Sequence, residues 1–322
     1  MTTQLIVSNK EDGKTWEISN STRSVTYTTN RTGSPGTLKF TAIRAGGFTL
    51  SEGDAVRFTV DGVFVFFGWV FTVSQDRWGV MEVTCYDRLR YLKATASYAF
   101  YGQTAGQIIQ QIAGDLQLST GALADTGYAI PSLIEQEQTC LDIIGEAVNQ
   151  TLLNTGELYV FYDDGSGLAL QPAGGMVSNV LIGDKSLLLD YTYRSDIDGQ
   201  TYNSVKLARP NQATGRMDVY IARDGETIGK WGLLQLYQTV DGEANSAQMA
   251  ARAKATLDCY NRPMKTFRVT SLGVVGLRAG QMAYLRVPGI PELEGGRYVL
   301  LEKVAHTFEN DAHTMTFETL TL

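Results

Sequence analysis

The feature that most constrains the fold is a pattern of turn and strand that occurs twice, far apart in the chain. Leu50-Ser51-Glu52-Gly53-Asp54 leads into the alternating segment Ala55 to Val60, and Leu277-Arg278-Ala279-Gly280-Gln281 leads in the same way into Met282 to Val287. A connection follows each segment, then Gly68-Trp69-Val70 or Gly296-Arg297-Tyr298 opens a long apolar strand. A closing strand comes next, Val80 to Thr84 in the first copy and Thr314 to Glu318 in the second. Glycine before the strand permits a positive-φ turn, and the leucine ahead of it can plug the end of a small barrel. The ordered match implies two similar small β-barrel, tube-like domains in one chain.

The remaining sequence fits around them. Residues 1–94 read as the first barrel domain, with strands at Thr22 to Tyr27, Gly36 to Ile43 and Ala55 to Val60, and a hairpin signal at Asp61-Gly62. In Val63 to Val73, alternation places Val65, Phe67, Trp69, Phe71 and Val73 on one face and Phe64, Phe66 and Val70 on the other. An apolar strand of this kind is covered on both sides, by a second layer or by another chain. Phe64, Phe66 and Val70 are therefore candidate interface residues. The stretch Arg88-Leu89-Arg90-Tyr91-Leu92-Lys93 reads as a partly solvated helix or strand end.

Residues 95–182 change character to a small inserted α+β domain. Thr104-Ala105-Gly106-Gln107 is a capping box, followed by Ile108, Ile109, Ile112, Ala113 and Leu116 at helical spacing. Thr139-Cys140-Leu141-Asp142 starts a second helix, Tyr128 to Leu133 reads as extended, and Glu157 to Tyr162 with Leu168 to Gln171 reads as a hairpin around Asp163-Asp164-Gly165. Residues 183–322 read as the second barrel domain, interrupted at about 210–263 by strands and by a helix from Ser246 to Tyr260 that Pro263 stops. The expected class is mainly β with an α+β insertion and an added helix.

Several function classes lack support. A net charge of −7 without a long basic cluster does not suit a nucleic-acid clamp. The two histidines, His306 and His313, are expected on neighbouring strands across Asn310-Asp311, and no Gly-x-Ser-x-Gly elbow surrounds a partner such as Ser204 or Ser271. Gly273-Val274-Val275-Gly276 lacks the Lys and Ser/Thr of a phosphate loop, and no CxxC or HExxH marks a zinc site. Asp163 and Asp164 suit a turn. The reading is no enzyme, no cofactor and no metal. Cys85, Cys140 and Cys259 read as buried reduced thiols. No signal pattern or apolar run of ~20 residues appears, so synthesis in the cytosol is expected.

Ordered stretches along nearly the whole chain resemble the XkdQ/YqbQ-type phage tail proteins, relatives of the late control gene D protein and of the baseplate hub of contractile tails. They are Thr84 to Lys93, Ile130-Pro131-Ser132 before Thr139 to Ile144, Leu152 to Val160, Asp163-Asp164-Gly165, Tyr202 to Leu207, and Gly296-Arg297-Tyr298 through Phe308. The resemblance implies a structural hub in a phage tail or tail-like particle. In such a hub a trimer of double-barrel chains joins the sixfold tail-tube protein to a threefold spike protein. The lumen passes DNA without specific binding in a phage, and stays empty or carries effectors in a tailocin-like particle. The competing reading is a monomeric β-sandwich that binds carbohydrate or a receptor through its tyrosines.

Overall fold

The computed structural model describes residues 1–10, 13–44, 47–211, 215–240, 245–309 and 311–320. They form two compact units, Met1–Thr192 with Arg268–Leu320, and Tyr193–Phe267. The larger unit begins with β1 (Thr3–Ser8), β2 (Thr15–Glu17), β3 (Thr22–Asn30), β4 (Thr37–Ile43), β5 (Ala55–Val60), β6 (Val63–Gln75) and β7 (Val80–Tyr86). It continues through β8 (Thr95–Phe100), α1 (Ala105–Asp115), β9 (Thr120–Leu123), β10 (Leu133–Thr139), α2 (Cys140–Thr155), β11 (Tyr159–Asp163), β12 (Leu168–Pro172), β13 (Val177–Gly183) and β14 (Leu188–Asp196). The chain then runs through β15 (Ser204–Asn211), β16 (Arg216–Arg223), α3 (Gly225–Trp231), β17 (Gln235–Thr239) and α4 (Ser246–Tyr260). It ends with β18 (Met264–Leu272), β19 (Met282–Arg286), β20 (Arg297–Glu309) and β21 (Ala312–Leu320).

The fold is mainly β. The strand order β5-β6-β7-β4-β3 recurs as β19-β20-β21-β18-β14. The predicted turn is the same in both copies. Gly53 has φ 91° and Gly280 φ 90°, the left-handed region that favours glycine. The Gly53 N–H donates to the Val70 carbonyl and the Gly280 N–H to that of Leu301, each at 2.8 Å. Val70 and Leu301 in turn donate to the carbonyls of Asp54 and Gln281, each at 2.9 Å. The Asp54 and Gln281 side chains accept from the N–H groups of Ser51 and Arg278, at 2.8 and 3.0 Å. One residue past each clamp the long strand bulges, between Val70 and Thr72 and between Leu301 and Lys303.

This geometry corrects the glycine spacing read from the sequence. Gly296 (φ 74°) does open its strand, but Gly68 lies inside β6, where a Cβ would run into the Tyr86 carbonyl and the Phe66 ring. Val70 and Leu301 are the equivalent positions. The two copies also share one 13-stranded sheet, because β3 pairs antiparallel with β20 from Ser24 opposite Glu309 to Asn30 opposite Lys303. Beyond that seam the Arg31 N–H donates to the Glu302 carbonyl at 2.9 Å, and its Nε reaches the Glu302 carboxylate at 2.8 and 2.9 Å.

The α+β insertion has its own core, where Ile108, Ile109 and Ile112 of α1 meet Leu141, Ile143 and Ile144 of α2. Thr104 and Gln107 form the expected capping box, and Thr139 caps α2 by accepting from the Asp142 N–H at 3.1 Å. Each such cap is worth about 1 kcal/mol. The segment read as extended before α2 shifts: the strand is β10, from Leu133 onward, pairing with β8. In the unit Tyr193–Phe267, β15 lies between β16 and β17, and α4 buries Met249, Ala253 and Leu257 against Val205, Leu207 and Val240. Among the described residues no helix is long and apolar enough to cross a membrane.

Candidate assembly surface

The three candidate interface residues separate. Phe66 and Val70 are 2% and 1% exposed and belong to the core with Phe58, Tyr27 and Phe308, so neither can meet a partner. Phe64 is 36% exposed, and its ring lies where a Cβ on Gly165 would fall. The strict alternation behind the sequence reading fails at two bulges, between Phe66 and Phe64 opposite β5 and between Val70 and Thr72 opposite β7. Val65 and Val73 consequently pack on the same core as Phe66 and Val70, although alternation put them on the opposite face.

The outer face of β6 is covered from within the chain. Phe67 and Trp69 meet edge to face at 5.3 Å, and Tyr91 sits 5.4 Å from Trp69 and 5.7 Å from Phe71. The Arg88 guanidinium lies 5.4 and 5.6 Å from the Phe67 and Trp69 rings, and Arg90 lies 5.1 Å from Phe71. The basic stretch Arg88–Lys93 is a short 3₁₀ turn started by Asp87, which accepts from the Leu89 N–H at 3.1 Å. Its cations shield aromatic rings, an arrangement worth about 0.5–2 kcal/mol per contact.

Arg88 also fixes the insertion to the first copy. Its Nη1 donates to Asp163 at 2.8 and 3.1 Å, and its backbone N–H donates to the same carboxylate at 2.9 Å. Gly165 donates to Asp163 at 2.8 Å, while Asp164 accepts from Ser166 and Gly167, as expected of a turn. From the second copy, Arg278 donates to the Asp163 carbonyl at 2.9 Å and lies 4.0 Å over the Tyr162 ring. Burial and then the Asp163 charge push the Asp87 carboxyl up to about 8, against N–H bonds from Gly36 and Leu89. One hairpin tip, Asp163–Gly165, thus ties together both copies of the repeat and the insertion.

His306 and His313 do face each other on β20 and β21, with Nδ1 and Nε2 at 2.9 Å. The connecting Asn310 lies outside the described residues. The Leu277 carbonyl, 2.6 Å from His306 Nε2, can only accept, so His306 carries its proton there and takes a hydrogen from His313 Nε2. Burial pushes both rings below the usual histidine range, His313 to about 4 with the neighbouring ring adding. Ser271 is buried on β18, and Ser204 accepts from Arg223 Nε at 3.2 Å. No group of three or more His, Cys, Asp or Glu side chains among the described residues could hold a metal. Cys85 and Cys140 are buried thiols as expected, but Cys259 is exposed.

A mainly-β chain with two copies of one strand order, sewn into a common sheet, has the fold of a phage tail protein. It is similar to the 43 kDa tail protein of prophage MuSo2 from Shewanella oneidensis, with TM-score 0.71, 13% identity, and 99% of this chain and 98% of that one covered. The chain belongs to the YQBQ-like family, which it matches over residues 25–320. It is 33% identical over 276 residues to the uncharacterized protein YqbQ of Bacillus subtilis (84% of this chain, 82% of the relative). It is 31% identical over 275 residues to the phage-like element PBSX protein XkdQ of the same organism, with the same coverage.

Proposed function

We propose that this protein is a structural, non-enzymatic hub in the tail of a phage or a phage-derived particle. In that role it forms a trimeric ring that seats the sixfold tail tube on the threefold spike. The observation that carries the reading is the repeat. Two modules with one strand order, clamp and bulge occupy a single chain, so three chains present six similar modules while keeping threefold symmetry. Family membership and the phage-element relative support a place in a tail. The corresponding division is residues 1–94 and 183–322 as the tube-like parts, with 95–182 inserted and a further insertion at about 210–263.

In this reading the protein is made in the bacterial cytoplasm and assembles with tube and spike proteins. Any DNA passes through the ring without specific binding, for which a net charge of −7 is suitable because like charges do not hold a phosphate backbone. Cryo-electron microscopy of the parent particle tests it. Three copies of this chain at the junction of tube and spike are expected, and a junction built from other chains refutes the assignment.

A further inference from the structure

The seam between β3 and β20 is made once within the chain, and the repeat supplies its two components a second time. β20 enters the seam at Lys303, two residues past the clamped Leu301. Two residues past the equivalent Val70 stands Thr72. From Thr72 to Gln75, β6 pairs with β7 just as β20 pairs with β21. β5 accompanies β6 only from Val63 to Trp69, and Thr72, Ser74 and Gln75 are exposed. The place that β3 takes on β20 is therefore open on β6 among the described residues.

β14 holds β3's place in the second copy, and it ends the strand order of the sheet. On β3, Val25 and Tyr27 are 4% and 8% exposed, whereas on β14 Leu189 and Tyr191 are 55% and 39% exposed. A strand with apolar side chains at the end of a sheet is a template for pairing with another strand.

We propose that β14 of one copy adds to the Thr72–Gln75 stretch of β6 in a second copy, repeating between chains the antiparallel seam that β3 and β20 make within one. The inference rests on the assembly reading and supplies its contact surface. The occupant is another copy because each chain already shows how these two kinds of strand join and carries, among the described residues, one open example of each. The donor and acceptor edges are different surfaces, so the contact is heterologous and uses every edge only when the chains close into a ring.

Crosslinking of the full chain in assembled particles tests this. Cys259→Ser removes the exposed thiol. Ser74→Cys is then combined in turn with Asp190→Cys, Thr192→Cys or Arg194→Cys, and the particles are treated with a short bis-thiol crosslinker. Thr26→Cys with Thr307→Cys, opposed across the internal seam, provides an intrachain control read by peptide mass spectrometry. One of the three pairs should give a ladder of multimers that stops at the copy number of the ring, and neither partner alone should do so. Particles that contain the chain and crosslink the control, but none of the three pairs, overturn the seam and leave the hub assignment standing. Particles without the chain overturn both.

Discussion

Replacing Asp163 by alanine should destabilise the larger unit by an amount that can be worked out from its contacts. The Arg88 and Asp163 side chains are 11% and 2% exposed, so the charges meet with little water to screen them. Removing one partner of such a buried pair costs about 3–5 kcal/mol, because the other charge is stranded. The Gly165 N–H also loses its acceptor, which costs about 1 kcal/mol or more unless water enters. At roughly 2–4 °C per kcal/mol for a unit of this size, the melting temperature should fall by about 8–24 °C. Intrinsic fluorescence is a suitable assay because Trp69 lies beneath Arg88. Arg88→Met should cost nearly as much by stranding Asp163, and the double variant should cost clearly less than the sum of the two. A drop below about 2 °C for Asp163→Ala, or strict additivity, would refute the claim that this pair fastens the hairpin tip.

The two clamp glycines should respond unequally to alanine. Both pay for positive φ, about 1–2 kcal/mol, but a Cβ at Gly53 meets open space whereas one at Gly280 runs into Val160. Denaturant unfolding should therefore find Gly280→Ala the more damaging by at least ~1 kcal/mol, and equal effects would argue against the packing described. The histidine pair should give an acid-sensitive stability. Its folded pKa values lie below the ordinary 6.5, with His313 at about 4, so the unfolded chain takes up protons first as pH falls. The contribution is complete above pH 6.5 and is lost towards pH 4. Melting temperatures across that range should decline less steeply in His313→Gln than in the native chain.

Local signals in the sequence led directly to local structure. Asp61-Gly62 turns between β5 and β6, the Thr104 capping box starts α1, and the apolar stripe of Met249, Ala253 and Leu257 is the buried face of α4. The repeat was legible for the same reason, since a positive-φ glycine at a fixed place before a strand leaves a mark on composition. On β6 only Val65 and Val73 were assigned to the wrong face, because a bulge inserts one residue without any requirement on residue type. Phe66 and Val70 do share a face as alternation implies, but a strand apolar on both sides does not reveal which side the chain's own core covers, and theirs is the core side. The short helix α3 went unseen: its seven residues carry two glycines and no buried side chain, so no apolar stripe announces it. The β3–β20 seam was also invisible, because pairing across so long a stretch of chain is decided by the packed structure and not by neighbours in sequence.

The segment Tyr193–Phe267 departs from the larger unit along β14 and rejoins it along β18, strands that lie next to each other in the sheet, with the Leu272 N–H bonded to the Leu187 carbonyl at 2.8 Å. Topologically, everything between them is one enlarged hairpin loop. Closing a longer loop costs little more than closing a short one, about 0.6 kcal/mol per doubling. Evolution can therefore lengthen, shorten or exchange the contents of that loop while the strands at its mouth keep their register, and divergence in size among relatives should concentrate there.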